Sequence, residues 1–134
     1  MPSKDADTAM RWLPALLAFV LWGGWALYAN LTESTSQAII AGVLQGTASA
    51  VITLCMALAI DRLFPLFRQP LLAVLLPPLL VVSITSSLLF VLHSLGQTPR
   101  LWLTILPPSA VAFAFCLFLT VRLALQNRPT TPES

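Results

Sequence analysis

Charge is scarce in this chain. Only 9% of its 134 residues are Asp, Glu, Lys or Arg, whereas 57% are hydrophobic and the mean hydropathy is +0.86. A soluble domain has about a quarter of its residues charged, so this composition excludes a protein whose whole surface faces water. We therefore expect residues 1–134 to form a single domain that uses lipid as part of its solvent.

The combinations of residues that carry catalysis or bind metals are also missing. The chain has one histidine, His93, and two cysteines, Cys55 and Cys116, both in apolar segments. These counts exclude a disulfide framework and a Cys/His metal cluster, and the sequence has neither a glycine-rich phosphate loop nor a nucleophile–His–acid set. We therefore expect no enzymatic activity, no cofactor and no metal site.

Charged residues are absent from the middle of every long apolar segment. A charge there would cost about 2.5–3.5 kcal/mol on the insertion scale and would usually mark an ion path. The absence counts against an ion relay or a proton-coupled pump. The net charge of +2 comes from basic residues that flank the apolar segments, so we also expect no nucleic-acid partner.

Four apolar runs are long enough to cross a bilayer, which takes about 20 residues in a helix. They cover about 12–30, 38–60, 71–92 and 101–121. Because backbone groups cannot stay unpaired in hydrocarbon, each run must be helical, and short connections make neighbouring helices antiparallel. The sequence thus predicts an all-α integral membrane protein, a four-helix up-down bundle. We expect the polar tails, 1–10 and 127–134, to be disordered.

Basic residues are distributed unequally between the two sides of this bundle. One side would hold Lys4, Arg11, Arg62, Arg68, Arg122 and Arg128, and the other side only Arg100. Lys and Arg are enriched in cytoplasmic loops, so this bias predicts that both termini are cytoplasmic. We expect a multi-pass protein of the bacterial cytoplasmic (inner) membrane.

Two double prolines, Pro77-Pro78 and Pro107-Pro108, fall inside the third and fourth predicted helices. A proline in a helix has no N–H to donate and leaves the carbonyl one turn earlier without its partner. The sequence therefore predicts kinks in both helices.

Small residues recur every fourth position in the second predicted helix, at Gly42, Gly46 and Ala50. This spacing lets two helix backbones approach closely in lipid, so these residues are predicted to pack against another helix. That helix could belong to the same chain or to another protein.

Polar residues concentrate in the halves of the helices that the charge bias places outside. Gln45 and Ser49 could bond between helices or line a cavity. His93 and Arg100 could bind an anion, although Arg100 could equally extend to the interface or pair with Glu33. Trp25 lies on an aromatic stripe of the first helix, between Trp22 and Tyr28. We hypothesise that Trp25, Gln45, His93 and Arg100 line a cavity open to the outside.

Two functions follow from these patterns. The first is binding or translocation of an amphipathic or lipid-linked anionic ligand through that outward-facing cavity, with membrane lipid as the partner. The alternative is a non-catalytic accessory subunit that docks on a larger membrane complex, or on a second copy, through the Gly42/Gly46/Ala50 face.

Overall fold

The computed structural model describes residues 3–128, apart from the side chains at 7, 8 and 11, and shows an all-helical chain in this range. Four long helices follow one another: α1 (Lys4–Asn30), α2 (Thr35–Leu63), α3 (Pro70–Leu95) and α4 (Leu101–Gln126). A single 3-10 turn, Phe64–Leu66, follows α2. All four helices are long and apolar enough to span a membrane, which confirms the predicted multi-pass helical architecture.

All four helices extend beyond their predicted spans, and α1 does so most. The prediction of a disordered tail at 1–10 was wrong for residues 4–10, which form the first turns of α1. Ser3 caps this helix, because its side chain accepts the backbone N–H of Ala6 at 3.3 Å, and the carboxylate of Asp5 lies near the positive end of the helix dipole. Of the predicted tail 127–134, Asn127 caps α4, and residues 129–134 lie outside the described range.

The two ends of the bundle differ in the polarity of their buried residues. At the Asn30 end, α1 and α3 finish and α2 and α4 begin; at the terminal end, α1 begins and α4 finishes. An apolar cluster of Met56, Ile60, Val81 and Cys116 lies toward the terminal end. Among the described residues, five buried polar residues lie toward the Asn30 end, Ser49 lies midway along α2, and Thr120 lies toward the terminal end; the five are Asn30, Gln45, His93, Thr98 and Thr104.

Helix α1 packs mainly on α2, and α3 mainly on α4. The α1–α2 contact is closest where glycines face each other: a Cβ added to Gly23 would lie only 2.9 Å from the carbonyl oxygen of Gly42. A Cβ added to Gly46 would lie 3.0 Å from the carbonyl oxygen of Phe19. Because Gly23, Gly42 and Gly46 have no side chains, the two backbones can touch at these positions.

Both double prolines lie within unbroken helices, α3 and α4. Each double proline deprives carbonyl groups one turn earlier of their helical N–H donor. In each helix, one of these carbonyls accepts a hydrogen bond from a side chain of another helix instead. The hydroxyl of Thr120 on α4 donates to the carbonyl oxygen of Val74 on α3 at 2.8 Å, four residues before Pro78. The predicted kinks remain predictions, but the bond itself ties α3 to α4.

Candidate functional site: a buried polar network and a central cavity

His93 lies in the last turn of α3, which ends in a Schellman motif. The Thr98 N–H donates to the carbonyl of His93 at 2.9 Å, and the Gln97 N–H donates to that of Ser94 at 3.2 Å. Gln97 occupies the left-handed position of the motif with a φ of 54°. This turn carries the Thr98 side chain back over the helix end, where its hydroxyl lies 2.7 Å from His93 Nδ1.

From His93 the network continues into α2. His93 Nε2 lies 2.8 Å from Gln45 Oε1, and Gln45 Nε2 donates to Ser49 Oγ at 3.1 Å. With Gln45 Oε1 as the acceptor, Nε2 carries the hydrogen, so in a neutral imidazole Nδ1 accepts from Thr98. Both His93 and Gln45 are fully buried. The bond between Nε2 and Oε1 joins α3 to α2, and the remaining polar atoms of the two side chains are paired with Thr98 and Ser49.

A second network connects α1 to α4 through Asn30. Its Oδ1 accepts the backbone N–H of Arg100 at 2.8 Å, at the first turn of α4. Its Nδ2 donates to the carbonyl of Ala26 and to Thr104 Oγ1, each at 2.8 Å, and Thr104 donates to the carbonyl of Arg100 at 2.7 Å. Asn30, at the end of α1, thus satisfies the backbone N–H of Arg100, the N-cap residue of α4.

Arg100 itself lies at the rim of the bundle. Its Nε donates to Glu33 Oε1 at 3.0 Å, and both side chains are about half exposed, 46% and 47%. The sequence left three roles open for Arg100: binding an anion, extending to the interface, or pairing with Glu33. The structure shows the pair with Glu33. An exposed pair of this kind stabilises a fold only weakly and can exchange partners.

Trp25 meets α4 one turn deeper than Asn30. Its indole N–H donates to the carbonyl oxygen of Leu103 at 2.9 Å. That carbonyl lies four residues before Pro107, which has no N–H, so it lacks its usual helical donor. Trp25 therefore supplies from α1 the hydrogen bond that the proline removes from α4.

The Gly42/Gly46/Ala50 face is largely covered within the chain. Gly42 and Gly46 are buried against Gly23, Phe19 and Leu27 of α1. Ala50 is half-buried and lines an apolar groove between α1 and α2. A partner helix could reach the two glycines only by displacing α1.

All four helices line a central cavity of about 240 Å³, which lies on the side of the polar network that faces the terminal end of the bundle. Most of its wall is apolar and includes Trp22, but four hydroxyl side chains also line it: Ser49, Thr53, Thr85 and Ser109. Thr85 donates to the carbonyl of Val82, and Ser109 accepts from Ser86. Within the described residues, the hydroxyl hydrogens of Ser49 and Thr53 have no acceptor.

The cavity is open on one side. Pro14 of α1 and Val111 and Phe115 of α4 line it and are also exposed. Since α1 and α4 touch mainly near the Asn30 end, through Asn30 and Trp25, the opening lies between them closer to the middle of the bundle. In a bilayer spanned by these four helices, a helix face exposed at this depth would contact lipid, so the opening would face the bilayer.

The structure brings together only two of the four residues predicted to bind a ligand, Gln45 and His93. Trp25 of α1 bonds to the Leu103 carbonyl of α4, and the backbone of Arg100 bonds to Asn30 of α1. None of the four residues lines the central cavity. In the described part of the chain, every buried side-chain nitrogen or oxygen has a hydrogen-bond partner. The predicted role of these four residues in ligand binding therefore remains a prediction, and each already has an intramolecular partner.

Sequence reasoning missed the structural roles of Asn30 and Thr98. Asn30 ends a predicted span and Thr98 lies in the connection between the third and fourth predicted spans, where the sequence indicates only contact with water. The signal that was available is their chemistry: Asn is a preferred helix cap and Thr can accept or donate at a neighbouring ring nitrogen. Which helix each one caps or contacts depends on the tertiary fold.

The chain matches no protein-family model, and no curated protein or solved structure is significantly similar to it. A function must therefore be inferred from the chain's own geometry, in which a paired polar network closes the Asn30 end and a lateral cavity lies below it.

Proposed function

We propose that this protein is a small multi-pass membrane protein that binds an amphipathic ligand, whose apolar chain enters the central cavity from the bilayer. The observation that carries the proposal is the cavity itself, which is mostly apolar and retains two hydroxyl donors, Ser49 and Thr53. An alkyl chain with a carboxylate or ester oxygen matches both features. The route is lateral, between α1 and α4, and replaces the outward-facing mouth expected from the sequence.

The cavity volume limits the ligand. At about 240 Å³ it is below the roughly 300–1,000 Å³ of sites that enclose drug-sized molecules. One alkyl chain, or part of one, fits this space, whereas a whole phospholipid does not. Trp25, Gln45, His93 and Arg100 support the site indirectly in this proposal, because their bonds hold together the helices that form its walls.

The fluorescence of Trp22 offers a direct test, because this residue lines the cavity. A brominated fatty acid quenches a tryptophan that it touches, and the difference in signal between the wild type and Trp22→Phe isolates the contribution of Trp22. We expect Ala112→Phe, which fills the cavity, to abolish most of the saturable quenching of Trp22. The matched control is Ala114→Phe, the same change two residues away on the exposed face of α4.

A second pair of variants tests the hydroxyl donors. Thr53→Val removes a donor from the cavity and should weaken fatty-acid binding about fivefold to tenfold, as expected for a lost hydrogen bond of about 1 kcal/mol. Thr47→Val is the same change on an exposed face outside the cavity and should have no effect.

If Ala112→Phe and Ala114→Phe reduce the quenching equally, the fatty acid binds only at the outer surface and the proposal fails.

We further propose that the terminal end faces the cytoplasm of a bacterial cell. The support is the distribution of charge, since Lys4, Arg62, Arg68, Arg122 and Arg128 lie toward this end and Arg100 lies at the other. In a variant without native cysteines, Ser34→Cys should react with a membrane-impermeant maleimide added outside the cell, and Gln69→Cys should not. The reverse pattern would invert the orientation.

A further inference from the structure

A second groove, lined by different residues from the central cavity, lies at the terminal end. It has a volume of about 710 Å³ and lies where the 3-10 turn, the start of α3 and the end of α4 meet. Its walls are mainly apolar and include Phe64, Leu71, Val74 and Leu125. The groove thus offers apolar surface at the depth where a membrane helix leaves the hydrocarbon.

Two arginines line this groove, Arg68 from the connection before α3 and Arg128 from the segment after α4. Within residues 3–128 neither forms an ion pair or a side-chain hydrogen bond, and the ion pair of Arg100 with Glu33 lies at the opposite end. Each guanidinium therefore keeps its five N–H donors for a ligand. Planar donors of this kind bind phosphate oxygens in pairs.

The neighbouring start of α3 adds further positive potential. Gln69, its N-cap residue, makes no side-chain capping bond, and the first helical N–H groups are directed toward the same end. The Arg68 and Arg128 groove, defined by these two residues and its apolar walls, thus combines cationic donors with a hydrophobic floor.

We propose that this groove binds an anionic phospholipid from the surrounding leaflet, with the phosphate between Arg68 and Arg128 and an acyl chain along Leu71, Val74 and Leu125. Charge complementarity decides among possible occupants. A zwitterionic lipid has no net charge and brings a cationic group beside the two arginines, so it neutralises them less than an anionic lipid does. A free phosphate ion leaves the apolar walls uncovered. Basic pockets between membrane helices commonly select anionic headgroups in this way.

The test compares two double variants that remove the same charge from the same end of the bundle. Arg68→Gln with Arg128→Gln removes both groove arginines, whereas Arg62→Gln with Arg122→Gln removes two exposed arginines outside the groove. The apparent dissociation constant of phosphatidylglycerol is measured by native mass spectrometry of the full chain in detergent, with phosphatidylcholine as the zwitterionic comparison.

We expect the wild type to prefer phosphatidylglycerol, and the groove variant to lose this preference. Each basic residue near an anionic headgroup contributes a factor of about five, so the groove variant should bind phosphatidylglycerol at least about fivefold more weakly. The control pair should bind nearly as well as the wild type. An equal loss in both pairs would show that only the diffuse surface charge attracts the lipid, and would overturn the proposal.

A variant of the apolar wall tests the position of the acyl chain without changing charge. Ala124 lines the groove and is half-buried, so Ala124→Phe should fill it and weaken binding of phosphatidylglycerol. Ala114→Phe, on the exposed face of the same helix, is the matched control. If Ala124→Phe leaves binding unchanged while fatty-acid quenching of Trp22 persists, this groove is not the lipid site and the central cavity stands on its own.

Discussion

The hydrogen bond from Trp25 to the Leu103 carbonyl makes it possible to test whether a side chain of one helix replaces the N–H donor that a proline of another helix lacks. Trp25→Phe keeps an aromatic ring but removes the N–H that reaches the Leu103 carbonyl at 2.9 Å. No helical donor replaces it, because the residue four positions later is Pro107. We expect the free energy of unfolding in a lipid environment to fall by about 1 kcal/mol, between the average of about 0.6 and the maximum of about 1.7 kcal/mol measured for hydrogen bonds between membrane helices.

The decisive step is to repeat the change in a Pro107→Ala background. Alanine has an N–H that can donate to the Leu103 carbonyl within α4, so Trp25 is no longer needed as the donor. The effect of Trp25→Phe should then be much smaller than in the wild-type background, because the two positions are coupled through one carbonyl and their effects do not add. The coupling between the two positions measures the interhelical bond itself.

Unfolding can be followed by steric trapping in bicelles, which reports equilibrium free energies without leaving lipid. Trp102→Phe is the control, since this tryptophan lies near the same end, is 61% exposed, contacts Phe90, and makes no hydrogen bond within the described residues. The reasoning would be refuted if Trp25→Phe destabilised the protein equally in both backgrounds. That result would mean that ring packing, and not the satisfied carbonyl, determines the role of Trp25.

Two further predictions concern backbone geometry. Gly23→Ala should destabilise the α1–α2 pair by about 1–3 kcal/mol, because its Cβ would lie 2.9 Å from the Gly42 carbonyl, whereas Gly24→Ala meets nothing within 4 Å and should be neutral or stabilising in the same unfolding assay. Equal effects at the two glycines would contradict the close contact. Gln97→Gly should stabilise the protein by about 1 kcal/mol, because glycine adopts the observed φ of 54° without strain. A loss of stability would show that the side chain of Gln97 stabilises the fold by more than its left-handed backbone conformation destabilises it.

The number and type of the elements follow from the sequence alone. In lipid every backbone group must be paired within its own segment, so an apolar run of about 20 residues can only be a helix. The helix ends were less predictable, since hydrogen bonding continues beyond the apolar run wherever a cap such as Ser3 allows it.

The candidate site could be predicted only in part. The sequence indicates that Gln45, His93, Trp25 and Arg100 lie toward one end, because their depth follows from helix position. It does not indicate their partners. Gln45 could face a ligand or a histidine equally well, and only the packing of α2 on α3 places His93 Nε2 at 2.8 Å from its amide oxygen.

Sequence by itself therefore determined that this protein has four membrane helices, an uneven distribution of polar residues and two helices deprived of backbone donors. Tertiary structure alone decided that most of those polar residues satisfy one another, that Trp25 and Thr120 replace missing proline donors, and that the cavity opens sideways. The physical reason is that helix formation in lipid is a local requirement, whereas hydrogen-bond partners and cavities depend on which helix faces meet.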